Sequence, residues 1–553
     1  MWRSVLCLLN RCKIEVALLA FALFISFALR LVGVFEKSTM TFDESISYLA
    51  ATGHQAEMAQ ISDGDTISEP VGVWTTAAEW KRLIRPEKAF LFRQIGDGLA
   101  HHDVHPPLYF WILHLWLLFA NTAVWSGPLL NVLLAIPTTI VVFLFGVYIL
   151  RTTKRASLAT AIWALSPAVI ASSWFARMYE LVPLFAVSLV WCVAKLSDPS
   201  VRVNAKGLLL LAVVVLGGVL THYLLLFCLI LPAAFLTILR LIGTERLRMA
   251  LVLIAIGFGI GLSWYVHPNF YLSFLNQQHQ IKDYFTLSAF GERLDYLTYA
   301  AIRFFLPDSF LRAIPSSAIY YALSIPYTAL IYYVTTSRSF VKRRIFHMLR
   351  GGPDGRGFIV IFFLAATASI ISALYLSFIL AVQQVWEYKT SMMWPFIAIS
   401  IVSLCELPSL AQYQKRATLL AYLLCSLMSL SSVATTLDFV TASKVPKDMM
   451  VSLVEARNVI IDNRQRGIIL PLVWHIPDDT NVFVGMPQEL LQLADAWVPQ
   501  VQEGTVFVHN SFLHDKDYMP EIANLVYPKL ATNGYRVTEL KDIWGGYTFY
   551  LVQ

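Results

Sequence analysis

Apolar residues in this chain gather into long unbroken runs, and polar residues collect between them. A run of about 20 apolar residues crosses a bilayer as a helix. The pattern predicts spans near 14–34, 125–149, 157–173, 178–195, 207–222, 223–240, 249–266, 316–336, 358–381, 391–407 and 417–435, about 11 spans in all. The implied fold class is an α-helical polytopic membrane protein, because a helix satisfies its own backbone polar groups within lipid.

One run is too short to cross. Residues 106–119 (PPLYFWILHLWLLF) offer about 14 positions against the roughly 20 required, so they predict an interfacial helix. Tyr109, Phe110, Trp111 and Trp116 suit headgroup depth. This helix belongs to a long first outer loop, 35–124, which also carries helical patterns such as 76–93. A second long loop covers 267–315. After residue 435 the period changes. Short alternating runs at 481–486, 505–509, 535–540 and 547–552 predict strands, with helices at 487–498 and 518–533. The expected organisation is a transmembrane domain over 1–435 and a small soluble α/β domain over 436–553.

Charge orients this scheme. Of the 42 Lys and Arg residues, 20 fall in the N-terminal tail and five short loops on one face, and 19 in the long loops and C-terminal tail on the other. Loop 337–357 alone holds Arg338, Lys342, Arg343, Arg344, Arg350 and Arg356. Short basic loops mark the cytoplasmic face, so the C-terminal domain and both long loops lie outside. Counting 106–119 as a span would turn every later basic loop outward. The composition, 57% hydrophobic with mean hydropathy +0.61, excludes an ordinary soluble protein. The net charge of +6 follows from loops that face anionic headgroups, so it does not point to nucleic acid. None of the six cysteines falls in the outer segments, which gives no disulfide framework. The first apolar stretch reads as an uncleaved signal anchor.

Three cations remain: Arg30, Arg177 and Lys389, each near the outer mouth of a span. A charge within a span costs about 2.5–3.5 kcal/mol at the helix centre and less near an end, so these positions imply an anionic partner. Arg30 has the simpler alternative of snorkelling to the headgroups. Around the cations sit clusters with chemical capacity. Asp43 and Glu44, just past the first span, read equally as a general base with its neighbour or as a helix start capped by Thr41 or Asp43. His101, His102, Asp103 and His105 offer metal-ligand types at no recognised spacing. The plainer reading is a polar turn before a Pro-Pro helix start. Arg177-Met178-Tyr179, His222-Tyr223 and Tyr388-Lys389 occupy outer hairpins, where aromatics commonly serve as anchors.

In this order, these segments resemble the GT-C superfamily of polytopic glycosyltransferases. The likeness is to the branch with protein O-mannosyltransferases and lipid A aminoarabinose transferases, and to their bacterial relatives. It is carried by Asp43-Glu44, Asp103-Val104-His105-Pro106-Pro107-Leu108-Tyr109, Ala176-Arg177-Met178-Tyr179, Thr221-His222-Tyr223 and the ending Gly545-Gly546-Tyr547. The resemblance implies a polyprenyl-phosphate-linked sugar donor used on the periplasmic face of a bacterial inner membrane. The acceptor would be a lipid such as lipopolysaccharide, a polysaccharide or a protein hydroxyl in the cell envelope. It assigns catalysis to Asp43, Glu44 and Asp103, and donor or phosphate contacts to Arg177, Tyr179, Lys389, His105, His222 and Tyr223. Attack from the face opposite the leaving phosphate implies inversion. No cofactor is required, although the carboxylates and histidines leave room for a divalent ion. The competing reading is a flippase or transporter of lipid-linked sugars, without transfer chemistry. Transporters generally show internal repeats and midplane charges, and the sequence shows neither.

Overall fold

The protein is seen in a computed structural model, which describes residues 13–62, 72–103, 105–243, 245–279, 299, 302–312, 387–404, 414–462, 469–485, 489–490, 504–510, 528, 531–532, 534–544 and 547–552. The chain divides into two compact units. The first comprises Met1–Glu36, Leu99–Tyr109 and Pro128–Val440, and the second Lys37–Gly98, Phe110–Gly127 and Thr441–Gln553.

The first unit is helical. Its main elements are α1 (Lys13–Phe35), α2 (Ser126–Leu150), α3 (Thr153–Ala164), α4 (Leu181–Leu196), α5 (Ala205–Thr221), α6 (Arg246–Val266) and α7 (Gln414–Ala442). Among the described residues, five helices are long and apolar enough to cross a membrane: Glu15–Phe35, Ser126–Leu150, Met178–Leu196, Arg246–Val266 and Leu419–Glu455. A sixth arises if Thr153–Ala164 and Pro167–Trp174, bent by 61°, count as one span. The bend has a chemical cause. Pro167 supplies no backbone donor, and Ser166 before it adopts an extended conformation. The polar groups at the break find partners: Ser432 Oγ donates to the Leu165 carbonyl at 2.7 Å, and Ser166 Oγ to the Phe304 carbonyl at 2.7 Å. Such satisfaction is what permits a broken helix at membrane depth.

The runs predicted at 207–222 and 223–240 are α5 and the helical stretch from Tyr223 to Leu241, parted at His222. The second contains a π-helical turn, Leu226–Ile230. The predicted spans 316–336 and 358–381 lie outside the described residues, as does about half of loop 267–315.

The second unit is built on a six-stranded sheet. Its strands are β1 (Trp74–Thr76), β2 (Asn458–Asp462), β3 (Asn481–Gly485), β4 (Thr505–Asn510), β5 (Val537–Trp544) and β6 (Tyr547–Val552), in the order β1-β3-β2-β4-β6-β5. The central β3-β2-β4 pairs are parallel, and the outer pairs are antiparallel. Ile460, Phe483, Leu490, Phe507 and Val552 form a core beneath it, against which Trp74, Tyr535, Val537 and Tyr550 pack. Four of these strands match predicted runs. The other two correct the sequence reading. β2 lacks polar alternation because it is paired on both edges and buried from Val459 onward. β1 comes from the first loop, at the start of a stretch expected to be helical over 76–93. There the helix Ala77–Arg82 stops short and the next begins only at Phe92; Pro86 stands in the gap, where the residue before a proline disfavours the helical conformation. The helices predicted at 487–498 and 518–533 fall almost wholly outside the described residues. The run at 106–119 is a 13-residue helix, Leu108–Ala120.

Candidate active site

The acidic pair in the second unit divides its labour. Phe42–Thr52 is a helix whose N-cap, Thr41, forms a capping box with Glu44. Thr41 Oγ1 accepts from the Glu44 amide at 3.3 Å, and Glu44 Oε2 accepts from the Thr41 amide at 2.9 Å. The same carboxylate oxygen accepts from Lys37 Nζ at 2.5 Å. Glu44 and Lys37 are both buried, and burial pushes the Lys37 ammonium below its ordinary range while Glu44 opposes that shift. Glu44 is therefore engaged in starting the helix, as a first-turn carboxylate should be. Asp43, one residue earlier, stays partly exposed. The same helix is fixed deeper in its unit: Tyr48 donates to the Ala123 carbonyl and accepts from the Gly127 amide, and His114 Nδ1 meets the Ala51 carbonyl at 2.8 Å.

Helix Phe92–His102 ends at Asp103, which falls in the first unit and whose amide donates to the Leu99 carbonyl. Asp103 Oδ1 lies 2.6 Å from His105 Nδ1, so the carboxylate fixes that nitrogen as the donor. The His105 ring stands edge-on to His222, with centroids 6.1 Å apart. His222 Nδ1 accepts from the Leu224 amide at 3.2 Å, which caps the next helix and makes Nε2 the protonated nitrogen of the neutral ring. Asp103, His105 and His222 thus form one polar row. Tyr223 follows directly but is fully buried, and its hydroxyl pairs with Ser273 Oγ at 2.9 Å. His101 and His102 are exposed. Among the described residues, no group of three His, Cys, Asp or Glu side chains is placed to hold a metal.

Arg177 and Tyr179 occupy a tight turn between α3 and α4. The Arg177 amide donates to the Phe175 carbonyl at 2.7 Å, and Met178–Glu180 is a single 3-10 turn. Asn131 of α2 donates to the carbonyls of both Phe175 (2.5 Å) and Arg177 (2.9 Å). Arg177 and Tyr179 are each 5% exposed. Glu180, which follows, is the partner of Arg30 in α1: Nη1 to Oε1 is 2.6 Å, and both side chains are 1% exposed. This corrects the expectation of an outside anion for Arg30. The answering charge is internal. Lys389 lies in the 3-10 turn Glu387–Met393, and its side chain falls outside the described atoms.

The sequence reading missed Glu180, Lys37 and Asn131. A signal for Glu180 did exist: a lone acid and a lone base inside separate apolar runs commonly pair. Lys37 gave a weaker one, as a cation just past the end of an apolar run.

What these observations define is a mostly helical, multi-pass membrane protein with ion pairs and polar rows near the ends of its apolar helices. No family model matches the sequence, and no curated protein matches it. Solved structures do match its fold. ArnT from Cupriavidus metallidurans, bound to undecaprenyl phosphate, aligns over 97% of this chain and 97% of its own, with TM-score 0.50 and 11% identity. The apo state of the same protein gives 97%, 97%, 0.49 and 12%. The oligosaccharyltransferase of Archaeoglobus fulgidus, in a complex with Zn and sulfate, covers 96% of this chain and 72% of its own, at TM-score 0.45 and 12% identity. The chain has the GT-C fold.

Proposed function

We propose that this chain is a membrane glycosyltransferase of the bacterial inner membrane. It moves a sugar from a polyprenyl-phosphate-linked donor to a hydroxyl of a lipid, polysaccharide or protein on the periplasmic face. The observation that carries this reading is the match of fold over 97% of both chains to a protein whose structure holds undecaprenyl phosphate. A donor of that kind keeps its prenyl tail in lipid while its phosphate and sugar meet polar groups at the membrane boundary.

The chemistry then needs two services. An acceptor hydroxyl must lose its proton as its oxygen bonds to the anomeric carbon, and the lipid phosphate must leave with the electrons of the broken C–O bond. We assign the proton to Asp43, the partly exposed member of the acidic pair; a placed general base contributes about 10²–10⁴-fold. Arg177 and Lys389 are assigned to the departing phosphate, whose growing charge a cation in a low-dielectric setting stabilises. The row Asp103–His105–His222 is assigned to the donor's polar head. Attack opposite the leaving group gives inversion.

The test is turnover by purified protein of a labelled polyprenyl-phosphate-sugar, read as released lipid phosphate and as the anomeric configuration of the product. Release is expected to depend on acceptor, and Asp43→Asn should lower it by at least about 100-fold with melting unchanged. Retention of more than about a tenth of the activity would reject Asp43 as the base. Movement of the donor across vesicle membranes without release would identify a flippase instead.

A further inference from the structure

The Arg30–Glu180 pair has no part in the roles assigned above. Two charges removed from water recover that cost only when their remaining polar atoms are also satisfied. Glu180 Oε1 receives Arg30 and also Ser172 Oγ, at 2.9 Å. Its other oxygen, Oε2, is buried with no hydrogen-bond partner among the described residues. A pair left incomplete in this way is a poor stabiliser, so its energetics alone do not account for it. Its geometry does. Glu180 ends the 3-10 turn that bears Tyr179 and directly follows Arg177. The Thr138 hydroxyl lies 2.9 Å from the Leu134 carbonyl in its own helix and 3.1 Å from the Glu180 carbonyl. With Asn131 holding the carbonyls of Phe175 and Arg177, the turn is fastened at both ends by side chains of α1 and α2.

We infer that Arg30 and Glu180 are positioning residues, whose ion pair sets where the Arg177 turn presents its cation to the phosphate of a polyprenyl-linked donor. The inference rests on the proposed function for the assignment of Arg177 to phosphate. It adds residues from the first span and the start of α4, neither of which needs to touch the donor.

The experiment compares the full-length protein in detergent with its Arg30→Met/Glu180→Leu double variant, using undecaprenyl phosphate as the binding probe. Replacing both partners by apolar side chains of similar size removes the pair without stranding a charge, so melting should match the parent. Affinity for undecaprenyl phosphate should fall by about tenfold or more, because a small misplacement of a binding group is costly. With the sugar donor, KM should rise more than kcat falls. A double variant that melts and binds undecaprenyl phosphate as the parent does overturns the inference and leaves the proposed function standing. A parent protein that binds no undecaprenyl phosphate defeats the proposed function instead, and the inference falls with it. Should the double variant not melt cooperatively, Arg30→Gln/Glu180→Gln keeps the size and the Ser172 contact while removing both charges, so that neither is stranded. Unaltered binding by that variant, once folded, is equally decisive against positioning.

Discussion

Asp43 and Glu44 are adjacent, identical in charge, and differently used. Glu44 is fully buried and joined to Lys37, Thr41 and the first turn of its helix, whereas Asp43 remains partly exposed. The two should therefore fail in different ways. Glu44→Gln strands a buried lysine, and breaking one side of a buried pair costs about 3–5 kcal/mol. Thermal melting should fall sharply for Glu44→Gln and stay level for Asp43→Asn, with turnover showing the larger loss for Asp43→Asn. Equal melting for the two variants would show that the Lys37 contact carries no weight. The sequence offered the helix cap and the catalytic acid as equal readings of one dipeptide. Local sequence gave a helix start capped by Thr41 or Asp43; the structure selects Thr41, which stands three residues before Glu44 and forms a capping box with it. Local sequence did not single out Lys37 as the partner, because nothing in a sequence says which loop cation turns inward. Arg30 shows the converse. Its position in an apolar run was legible, and its partner, 150 residues away, was signalled only as another lone charge in another apolar run.

At the scale of elements, apolar run length located the described spans well, because lipid imposes a single constraint on all of them. What run length does not encode is how closely two helices approach. Helix α6 carries Gly257, Gly259 and Gly261 on successive alternate positions. A methyl group at Gly259 would sit 2.6 Å from the Ala212 carbonyl oxygen and 2.8 Å from Val215 of α5, while nothing lies within 4 Å of the other two. Close approach at a small residue is a common device of helix packing in membranes. Gly259→Val should thus lower stability in detergent by about 1–3 kcal/mol, the range for overpacked sites. Gly257→Val and Gly261→Val should leave the melting curve much nearer the parent. Three similar losses would mean that α5 does not set the distance. The short elements escaped the sequence reading for a related reason. β1 is three residues long and owes its conformation to β3, not to any period of its own.

At the scale of the molecule, fold class was written in the balance of apolar and charged segments, while the composition of the second unit was not. That unit contains the partly buried His475, which desolvation and the Lys81 ammonium push down to about 4. A histidine in the unfolded chain titrates near 6.5, so the folded state excludes a proton that the unfolded state accepts. Stability from this source is complete above about pH 6.5 and is lost as pH falls towards 4. Asp478 moves the other way in charge: its hydrogen bond to Lys81 holds it below the usual carboxylate range, so it stays ionised across that window. Melting of the protein should therefore weaken between pH 6.5 and 5, and His475→Asn should flatten that slope whatever its effect at neutral pH. An unchanged slope would place the acid sensitivity elsewhere.

Thr75 and Val482, bonded side by side in the sheet, are 407 residues apart in the chain. A ribosome working from the N-terminus makes the first strand early, and its neighbour becomes available only after every helix between them has been synthesised. The second unit therefore completes its sheet last, and a nascent chain halted before β3 would display an unclaimed strand edge. Loss of the final hundred residues should be felt not at the end of the protein alone but just past its first membrane helix.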